Sequence, residues 1–127
     1  MNHGVLRLLF VAIFLFISYS SNAKPVEGQI VELQILDKIT TKVKSVEIGI
    51  NENLKLGSLL IEIYACYKRP PEEIPEDFVL LKIFDELSED FTLIYQGWMI
   101  SSSPAATPLE HPIYDIWIKN CKIDMSF

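Results

Sequence analysis

Serine, histidine and aspartate side chains occur together in the segment 97–117, and these residue types can perform acyl transfer. In a Ser-His-Asp triad the serine hydroxyl, an imidazole and a buried carboxylate converge beside an oxyanion pocket. The residues available for such a site are Ser102, Ser103, His111 and Asp115. The segment lacks the G-x-S-x-G elbow that exposes a nucleophilic serine on a strained turn. We therefore expect a protein that is not an enzyme, with a small hydrolase or ligand-binding module built on these four residues as the alternative.

Aromatic residues flank the same segment and suggest a binding site. Trp98 and Trp117 lie near its ends, beside Tyr95 and Tyr114. Rings of this kind offer stacking area together with a polar tip, which suits a groove for a peptide or a sugar. The predicted binding residues are Trp98, Ser102, Ser103, His111, Tyr114, Asp115 and Trp117. A second alternative makes the loop purely structural, with Trp98, His111 and Trp117 packed to hold the fold together.

His111 supports two interpretations at this stage. It precedes Pro112, and a residue before proline favours an extended backbone. In the first interpretation it fastens the loop to a sheet through Asp115 or a carbonyl group. In the second it forms a pH-responsive contact, because histidine titrates near neutral pH.

The two cysteines, Cys66 and Cys121, are expected to form a disulfide. Strand alternation places both sulfurs on a face of mixed polarity, whereas unpaired cysteines favour the core. The bond would restrict the unfolded chain by roughly 4 kcal/mol in the chain-entropy model. Two buried free thiols are the alternative. Two cysteines and His111 fall short of a four-ligand zinc site, so we expect neither a metal nor a cofactor.

The elements that must position these residues are mostly strands, because the apolar residues recur with a period of two. The pattern predicts strands near 30–36, 42–48, 59–67, 91–99 and 113–121. The stretch 78–87 fits a strand or one face of a helix, and we prefer the strand. Turn signals separate the strands, and the turn at 37–41 lacks glycine. Six or seven mostly antiparallel strands indicate an all-β domain, a single small sandwich or barrel.

The first 23 residues have the layout of a secretory signal peptide. Arg7 precedes an apolar run at 8–17, and small residues stand at Ser21 and Ala23. An uncleaved anchor is the alternative, but the run is shorter than the ~20 residues that a spanning helix needs. We therefore predict cleavage after Ala23, one mature β domain at 24–127 with no stable membrane span, and export.

Charge excludes one class of partner and marks one region. The net charge is -6 and the pI is near 4.8, without a basic cluster, which argues against nucleic-acid binding. The segment 70–90 contains eight acidic residues and one basic residue, Lys82. We interpret this acidic belt as a solvated face rather than a docking surface or a calcium site, because no D-x-D-x-D-G loop is present.

Several short motifs along the mature chain resemble the Domain of Unknown Function 2155 family of exported bacterial proteins. The similarity spans about residues 31–122. The residues that carry it are Ala65-Cys66, Arg69-Pro70-Pro71-Glu72-Glu73, Pro75-Glu76, Gly97-Trp98-Met99, Ser102-Ser103-Pro104-Ala105, Glu110-His111-Pro112, Tyr114-Asp115, Trp117 and Cys121. Thr40-Thr41 stands where a glycine-containing turn is expected, and Ala106 where leucine is expected. The resemblance implies an envelope location and two paired cysteines, and it implies no reaction.

Taken together, these features predict a periplasmic, non-enzymatic β domain. It would bind another envelope component, a protein or peptide, through the proline-rich loop 97–117 and its neighbouring aromatic residues. The incomplete catalytic and metal constellations favour this interpretation over an enzyme.

Overall fold

Alternation of buried and half-buried side chains builds the central strands of the fold. A computed structural model describes residues 2–16, 24–86, 90–103, 109 and 111–123. In one strand Val31, Leu33 and Ile35 are at most 1% exposed while the residues between them are half-buried. Such a period of two is the pleat of a strand with one face toward a core.

One helix and eight strands are described. They are α1 (His3–Phe16), β1 (Val26–Glu27), β2 (Ile30–Asp37), β3 (Lys42–Gly49), β4 (Asn53–Leu56), β5 (Leu59–Lys68), β6 (Asp77–Asp85), β7 (Thr92–Ile100) and β8 (Tyr114–Lys122). The predicted all-β fold is confirmed. The described strands number eight rather than the predicted six or seven, because they include two very short strands, β1 with two residues and β4 with four.

The strands form two antiparallel sheets that pack as a sandwich. Sheet A has five strands in the order β1-β5-β6-β7, with β4 also paired to β5. Sheet B has three strands in the order β3-β2-β8. The core residues come from both sheets, among them Leu33 and Ile118 of sheet B and Ile61 and Leu81 of sheet A.

Strand β6 settles the ambiguity at 78–87. Its residues alternate between buried and half-buried from Asp77 to Asp85, and the strand pairs with both β5 and β7. Val79 and Ile83 fit a helical face as well as a pleat, because positions four apart coincide in both patterns. The strand prediction is confirmed, and Leu87 lies outside the described residues.

Two β-bulges change the side on which the cysteines lie. The register of β5 carries an extra residue at Tyr64, and that of β8 carries one at Lys119. An extra residue reverses the alternation beyond it. Cys66 and Cys121 therefore point into the core at 0% exposure, and the prediction that both lie on a mixed face was wrong.

A further irregularity lies in β7, which contains Gly97. The extra residue is Ile94, since Tyr95 pairs with Ile83 and Leu93 with Phe84. Gly97 is paired regularly with Leu81, but its φ of 147° lies in a region that side-chain-bearing residues avoid. Glycine is therefore required at position 97 for its backbone conformation rather than for a bulge.

The turn between β2 and β3 forms without glycine. The Asp37 Oδ1 atom accepts hydrogen bonds from the amides of Ile39 at 2.9 Å and Thr40 at 3.1 Å. Thr41 then adopts a φ of 58°, a left-handed conformation that a β-branched residue rarely takes. This is the region of the chain in which the resemblance led us to expect glycine.

Helix α1 contributes no side chain to the core. All the residues from His3 to Phe16 are exposed. Within the described residues, no helix has both the length and the apolar character needed to cross a membrane. The predicted cleavage site after Ala23 lies outside the described residues, so the signal peptide stays a prediction.

Candidate functional site

Acidic residues at the two ends of β6 organise the polar contacts of the sandwich. Glu76 and Asp77 stand at its beginning and Asp85 at its end, and all three are 8% exposed. We call the end with Glu76, Asp77 and the cysteines the disulfide end. We call the opposite end, with Asp85, His111 and Tyr114, the open end. Nine steps along the strand separate Glu76 from Asp85, about 30 Å of extended chain.

At the disulfide end, a covalent bond and a carboxylate join the two sheets. The sulfurs of Cys66 in β5 and Cys121 in β8 lie 2.09 Å apart, at disulfide distance, with a Cα separation of 5.9 Å. The Asp77 Oδ2 atom accepts a hydrogen bond from the backbone amide of Cys121 at 3.1 Å. Lys68 donates to Asp77 at 3.0 Å and to the Asn120 side chain at 2.7 Å. The expected pairing of the cysteines is thus confirmed at the level of distance.

Gly28 closes over the disulfide. A Cβ atom at this position would meet the sulfur of Cys121 at 2.2 Å and that of Cys66 at 2.7 Å. The Gly28 amide donates to the Cys66 carbonyl at 2.9 Å. Any larger residue would displace the sulfurs or break this contact.

Glu76 binds Ser101 and Ser102, of which Ser102 belongs to the predicted site. The Ser101 hydroxyl donates to Glu76 Oε1 at 2.9 Å and accepts from the Asp77 amide at 3.0 Å. Ser102 donates its amide to Oε1 at 2.8 Å and its hydroxyl to Oε2. Burial acts to raise the pKa of Glu76, but the hydrogen bonds from Ser102 and Ser101 and the charge of Arg69 together hold that pKa below its ordinary value. Half-buried Ser103 follows directly in the chain.

At the open end, His111 uses both ring nitrogens. Its Nε2 atom lies 2.8 Å from Asp85 Oδ2, and the ring is nearly buried. Its Nδ1 atom accepts from the backbone amides of Ile113 at 3.1 Å and Tyr114 at 3.2 Å. An acceptor at Nδ1 places the proton on Nε2, which therefore donates to the carboxylate. His111 thus fastens the segment before β8 to the end of β6.

The surroundings of His111 correct one part of its interpretation. The expected partner, Asp115, instead forms an ion pair with Lys38 at 2.8 Å. Lys38 also donates to the His111 carbonyl at 2.8 Å, and the Tyr114 ring stacks on the imidazole at 5.6 Å. The fastening role is therefore observed, but through Asp85.

The residues of the alternative triad do not converge. Ser102 is bound to Glu76 at the beginning of β6, and His111 is bound to Asp85 at its end. About 30 Å of strand separates these anchors, so neither Ser102 nor the adjoining Ser103 reaches the imidazole. The arrangement of Ser102 or Ser103 with His111 and Asp115 is therefore not assembled in this structure.

The aromatic groove is also divided among separate surfaces. Trp98 lies on the outer face of sheet A, where it is 44% exposed and its ring lies 6.0 Å from that of Tyr67. Trp117 lies on the outer face of sheet B and donates its indole N–H to Gln34 Oε1 at 2.8 Å. Tyr114 faces the inside of the open end, near Gly57. The structure therefore does not bring Trp98, Trp117 and Tyr114 together in the one groove that was expected of these rings and Tyr95.

The outer face of sheet A is mostly apolar. Outward positions follow from the buried residues with which they alternate and from the register of β5, β6 and β7. The apolar residues at these positions are Leu60, Tyr67, Phe78, Leu80, Phe84, Leu93, Trp98 and Ile100. A row of polar residues, Glu62, Lys82 and Gln96, crosses the face between Leu93 and Trp98. Leu93 is 47% exposed, Tyr64 in the β5 bulge is 40% exposed, and Arg69 lies 5.7 Å from the Phe78 ring centre.

The outer face of sheet B is mostly polar and carries internal ion pairs, and Val43 is 51% exposed at its edge. Glu32 lies 3.3 Å from the Lys119 ammonium and 3.5 Å from that of Lys122. Lys122 also contacts Glu47 on β3. Beside these pairs, Trp117 has a half-buried ring and a satisfied N–H.

Part of the acidic belt is buried rather than solvated. Glu76, Asp77 and Asp85 make the contacts described above, and Glu86 pairs with Lys55 at 2.7 Å. Glu72 and Glu73 are exposed, as the interpretation of a solvated face requires. Among the residues that the structure describes, no group of acids, histidines or cysteines has the arrangement of a metal site.

Sequence reasoning assigned no contact to Gly28, Lys68, Glu76, Asp77 or Asp85. The acids at 76, 77 and 85 belong to the acidic belt and bracket an apolar strand, and Glu76 also belongs to the motif Pro75-Glu76. Their neighbours Glu72 and Glu73 have the same residue type and stay exposed. These signals therefore could not distinguish buried contacts from a solvated loop.

Fold and site together define a small all-β domain, a sandwich whose sheets are joined by a cysteine pair and by buried carboxylates. The chain belongs to the family described as "Uncharacterized protein conserved in bacteria (DUF2155)", whose model matches residues 31–121. It is also 34% identical over 87 residues to "Uncharacterized protein RP359" of Rickettsia prowazekii (strain Madrid E). That alignment covers 68% of this chain and 56% of the relative, so the chain spans little more than half of that protein. No solved structure matches this chain.

Proposed function

We propose that the chain is exported, is cleaved after Ala23 and acts in the periplasm as a binding domain without catalytic activity. The leader at 1–23 has the composition of a signal peptide, and helix α1 keeps all its side chains outside the core. The cysteine pair at disulfide distance supports an oxidising compartment, where such bonds persist.

The binding partner is another envelope protein, and the contact surface is the outer face of sheet A around Trp98. The observation that carries this proposal is the contrast between the two outer faces. Sheet B pairs charged residues across its outer face and exposes one large apolar residue there, Val43, whereas sheet A presents exposed Trp98, Leu93 and Tyr64. Trp98 lies beside Tyr67 and Leu80 on one side of the row formed by Glu62, Lys82 and Gln96. Exposed apolar patches of this kind mark interaction sites on folded proteins.

The composition of this face suits a protein more than a small ligand. Trp98, Tyr67 and Arg69 lie among aliphatic side chains on a broad sheet surface. Tryptophan, tyrosine and arginine contribute most to the energetic centres of protein interfaces. Trp98 belongs to the segment 97–117, so this surface includes the start of the predicted binding loop. Residues 104–108 of that loop lie outside the described residues.

Site-specific photo-crosslinking in intact cells tests the proposal. A photoreactive amino acid replaces Trp98 in one variant and Ser45, on the outer face of sheet B, in the matched control. We expect a discrete crosslinked product at position 98 and little or none at 45. Equal labelling from both positions, or no product at 98 from a chain that is exported normally, would contradict the proposal.

The substitution Trp98→Ala provides a second measurement on the same face. The ring is 44% exposed, so its removal should leave the fold intact while it weakens the association. We expect the complex captured by crosslinking at Leu93 to fall at least tenfold, and Ser45→Ala to leave it unchanged. An undiminished product in the Trp98→Ala chain would mean that another surface binds the partner.

A further inference from the structure

The open end contains a cleft between the two sheets. Its volume is about 430 Å³, within the range of small-molecule sites. It lies where β2 and β3 of sheet B face the turn between β4 and β5. The residues that line it include Ile35, Asp37, Lys42, Lys44, Leu56 and Tyr114.

Two lysines of β3, Lys42 and Lys44, line this cleft because they lie on the inner side of the strand. Val46 and Ile48 of that strand face the core, and Lys44 and Lys42 continue the same alternation toward its beginning. The register pairs Lys44 with Ile35 and places both on the inner side of sheet B. An inward lysine on an edge strand also discourages pairing between molecules, but that role does not require an open cavity beside it.

The floor of the cleft is apolar. Ile35 is 1% exposed and Leu56 is 9% exposed, and Tyr114 stands at the side. Gly57 permits this position of the ring, since a Cβ atom there would lie 2.4 Å from the Tyr114 hydroxyl oxygen. The cleft thus combines apolar walls with cationic groups at the mouth.

The balance of charge at the mouth selects the ligand's charge. Asp37 accepts two backbone amides through Oδ1 and lies opposite Lys42 in the register. Lys38 is paired with Asp115. Among the ion pairs of the described residues, none includes Lys44. One positive charge is therefore left at the mouth, although the chain as a whole has a net charge of -6.

From this arrangement we infer that the cleft binds a monoanionic amphiphile, a carboxylate joined to an aliphatic chain. The carboxylate lies between Lys44 and Lys42, and the aliphatic chain packs on Ile35, Leu56 and the ring of Tyr114. A charged head and an apolar body correspond to the two kinds of surface that the cleft offers. This site is separate from the face around Trp98, so either proposal stands without the other.

Titration of the purified protein with decanoate tests the inference, with decanol and acetate as comparison probes. Nuclear magnetic resonance of Tyr114 and of the Ile35 and Leu56 methyl groups reports binding at the cleft itself. We expect saturable shifts with decanoate, affinity for decanol about tenfold weaker, and no saturation with acetate. Lys44→Gln should weaken decanoate about tenfold, whereas Lys119→Gln, a lysine on the outer face of sheet B, should change it less than twofold.

Each alternative outcome overturns the inference. Equal affinity for decanoate and decanol would show that the lysines do not recognise the head group. Unchanged affinity in Lys44→Gln, or shifts that leave Tyr114, Ile35 and Leu56 unaffected, would place the ligand elsewhere. Acetate that saturates the site as readily as decanoate would mean that the apolar floor contributes nothing.

Discussion

The two ends of the sandwich are closed by different chemistry. The disulfide end joins the sheets covalently through Cys66 and Cys121, with Asp77 bound to the Cys121 amide. The open end joins them through His111 and Asp85, without a covalent bond, and leaves a cleft beside Tyr114. Both ends depend on a buried carboxylate of β6. Only the disulfide end requires an oxidising compartment.

The two ends therefore differ in how strongly they stabilise the domain and in how accessible they are to solvent. The disulfide joins residues 55 positions apart and lowers the entropy of the unfolded chain, so it stabilises the whole domain and not only the disulfide end. The hydrogen bonds at the open end stabilise the domain less than the disulfide does. The cleft at that end leaves inward side chains such as Lys44 accessible to solvent. The covalent closure at one end therefore stabilises a domain whose opposite end keeps a cleft.

The largest expected effect comes from removing the covalent closure. Cys66→Ala with Cys121→Ala should lower the free energy of unfolding by about 4 kcal/mol in the chain-entropy model. Urea denaturation followed by circular dichroism measures it. A reductant should cause a similar loss in the parent protein and none in the double variant. A loss below about 1 kcal/mol would mean that the disulfide end does not depend on its covalent bond.

The hydrogen-bonded closure should contribute the next largest effect. His111→Leu leaves the Asp85 carboxylate without this partner and two backbone amides without their acceptor, which should cost about 3 kcal/mol. Asp115→Asn at the same end removes only a partly exposed ion pair and should cost less than about 1 kcal/mol. Calorimetry of the two variants makes the comparison, and equal losses would contradict the fastening role of His111.

Acid should weaken the disulfide end through Glu76. Its pKa is lowered in the folded protein, so its contribution is present above the ordinary value of 4.5 and is lost as the pH falls through the folded-state pKa. Glu76→Gln should be less stable than the parent by about 1.5 kcal/mol at neutral pH, and the difference should close in acid. Urea titrations at several pH values measure this, and a difference that stays constant in acid would rule out the assignment.

The smallest expected effect is a gain at the open end. Thr41→Gly should stabilise the protein by about 0.7 kcal/mol, because glycine adopts the φ of 58° without a Cβ penalty. Thr40→Gly is the matched control and should destabilise, since the φ of Thr40 is not positive. Thermal unfolding of the two variants distinguishes them. A loss in both would show that the left-handed turn is unstrained.

Much of the architecture was predictable because burial follows alternation. The runs at 30–36, 59–67 and 78–87 gave correct strands, since an apolar residue at every second position fits one face of a sheet. The bulges at Tyr64 and Lys119 were not predictable, because the sequences of β5 and β8 are compatible with regular alternation along their whole length. Those two extra residues carry Cys66 and Cys121 to the core face, so the pairing was right while the reason for it was wrong.

The candidate site was less predictable because its contacts are distant in sequence. His111 was expected to fasten its loop, but its partner Asp85 lies 26 positions earlier in another strand. Ser102 lies 26 positions after Glu76 and is held at the opposite end of the same strand. Residue types within 97–117 suggested one site, whereas the sheet register distributes them over both ends and both outer faces.

Export is the claim on which the contrast between the two ends depends, and the intact mass of the protein from cells tests it most directly. Free thiols are alkylated before the chain is isolated. The account predicts a chain that begins at Lys24 and carries no alkyl group on Cys66 or Cys121. A chain that retains residues 1–23, or one in which both cysteines are alkylated, would contradict it.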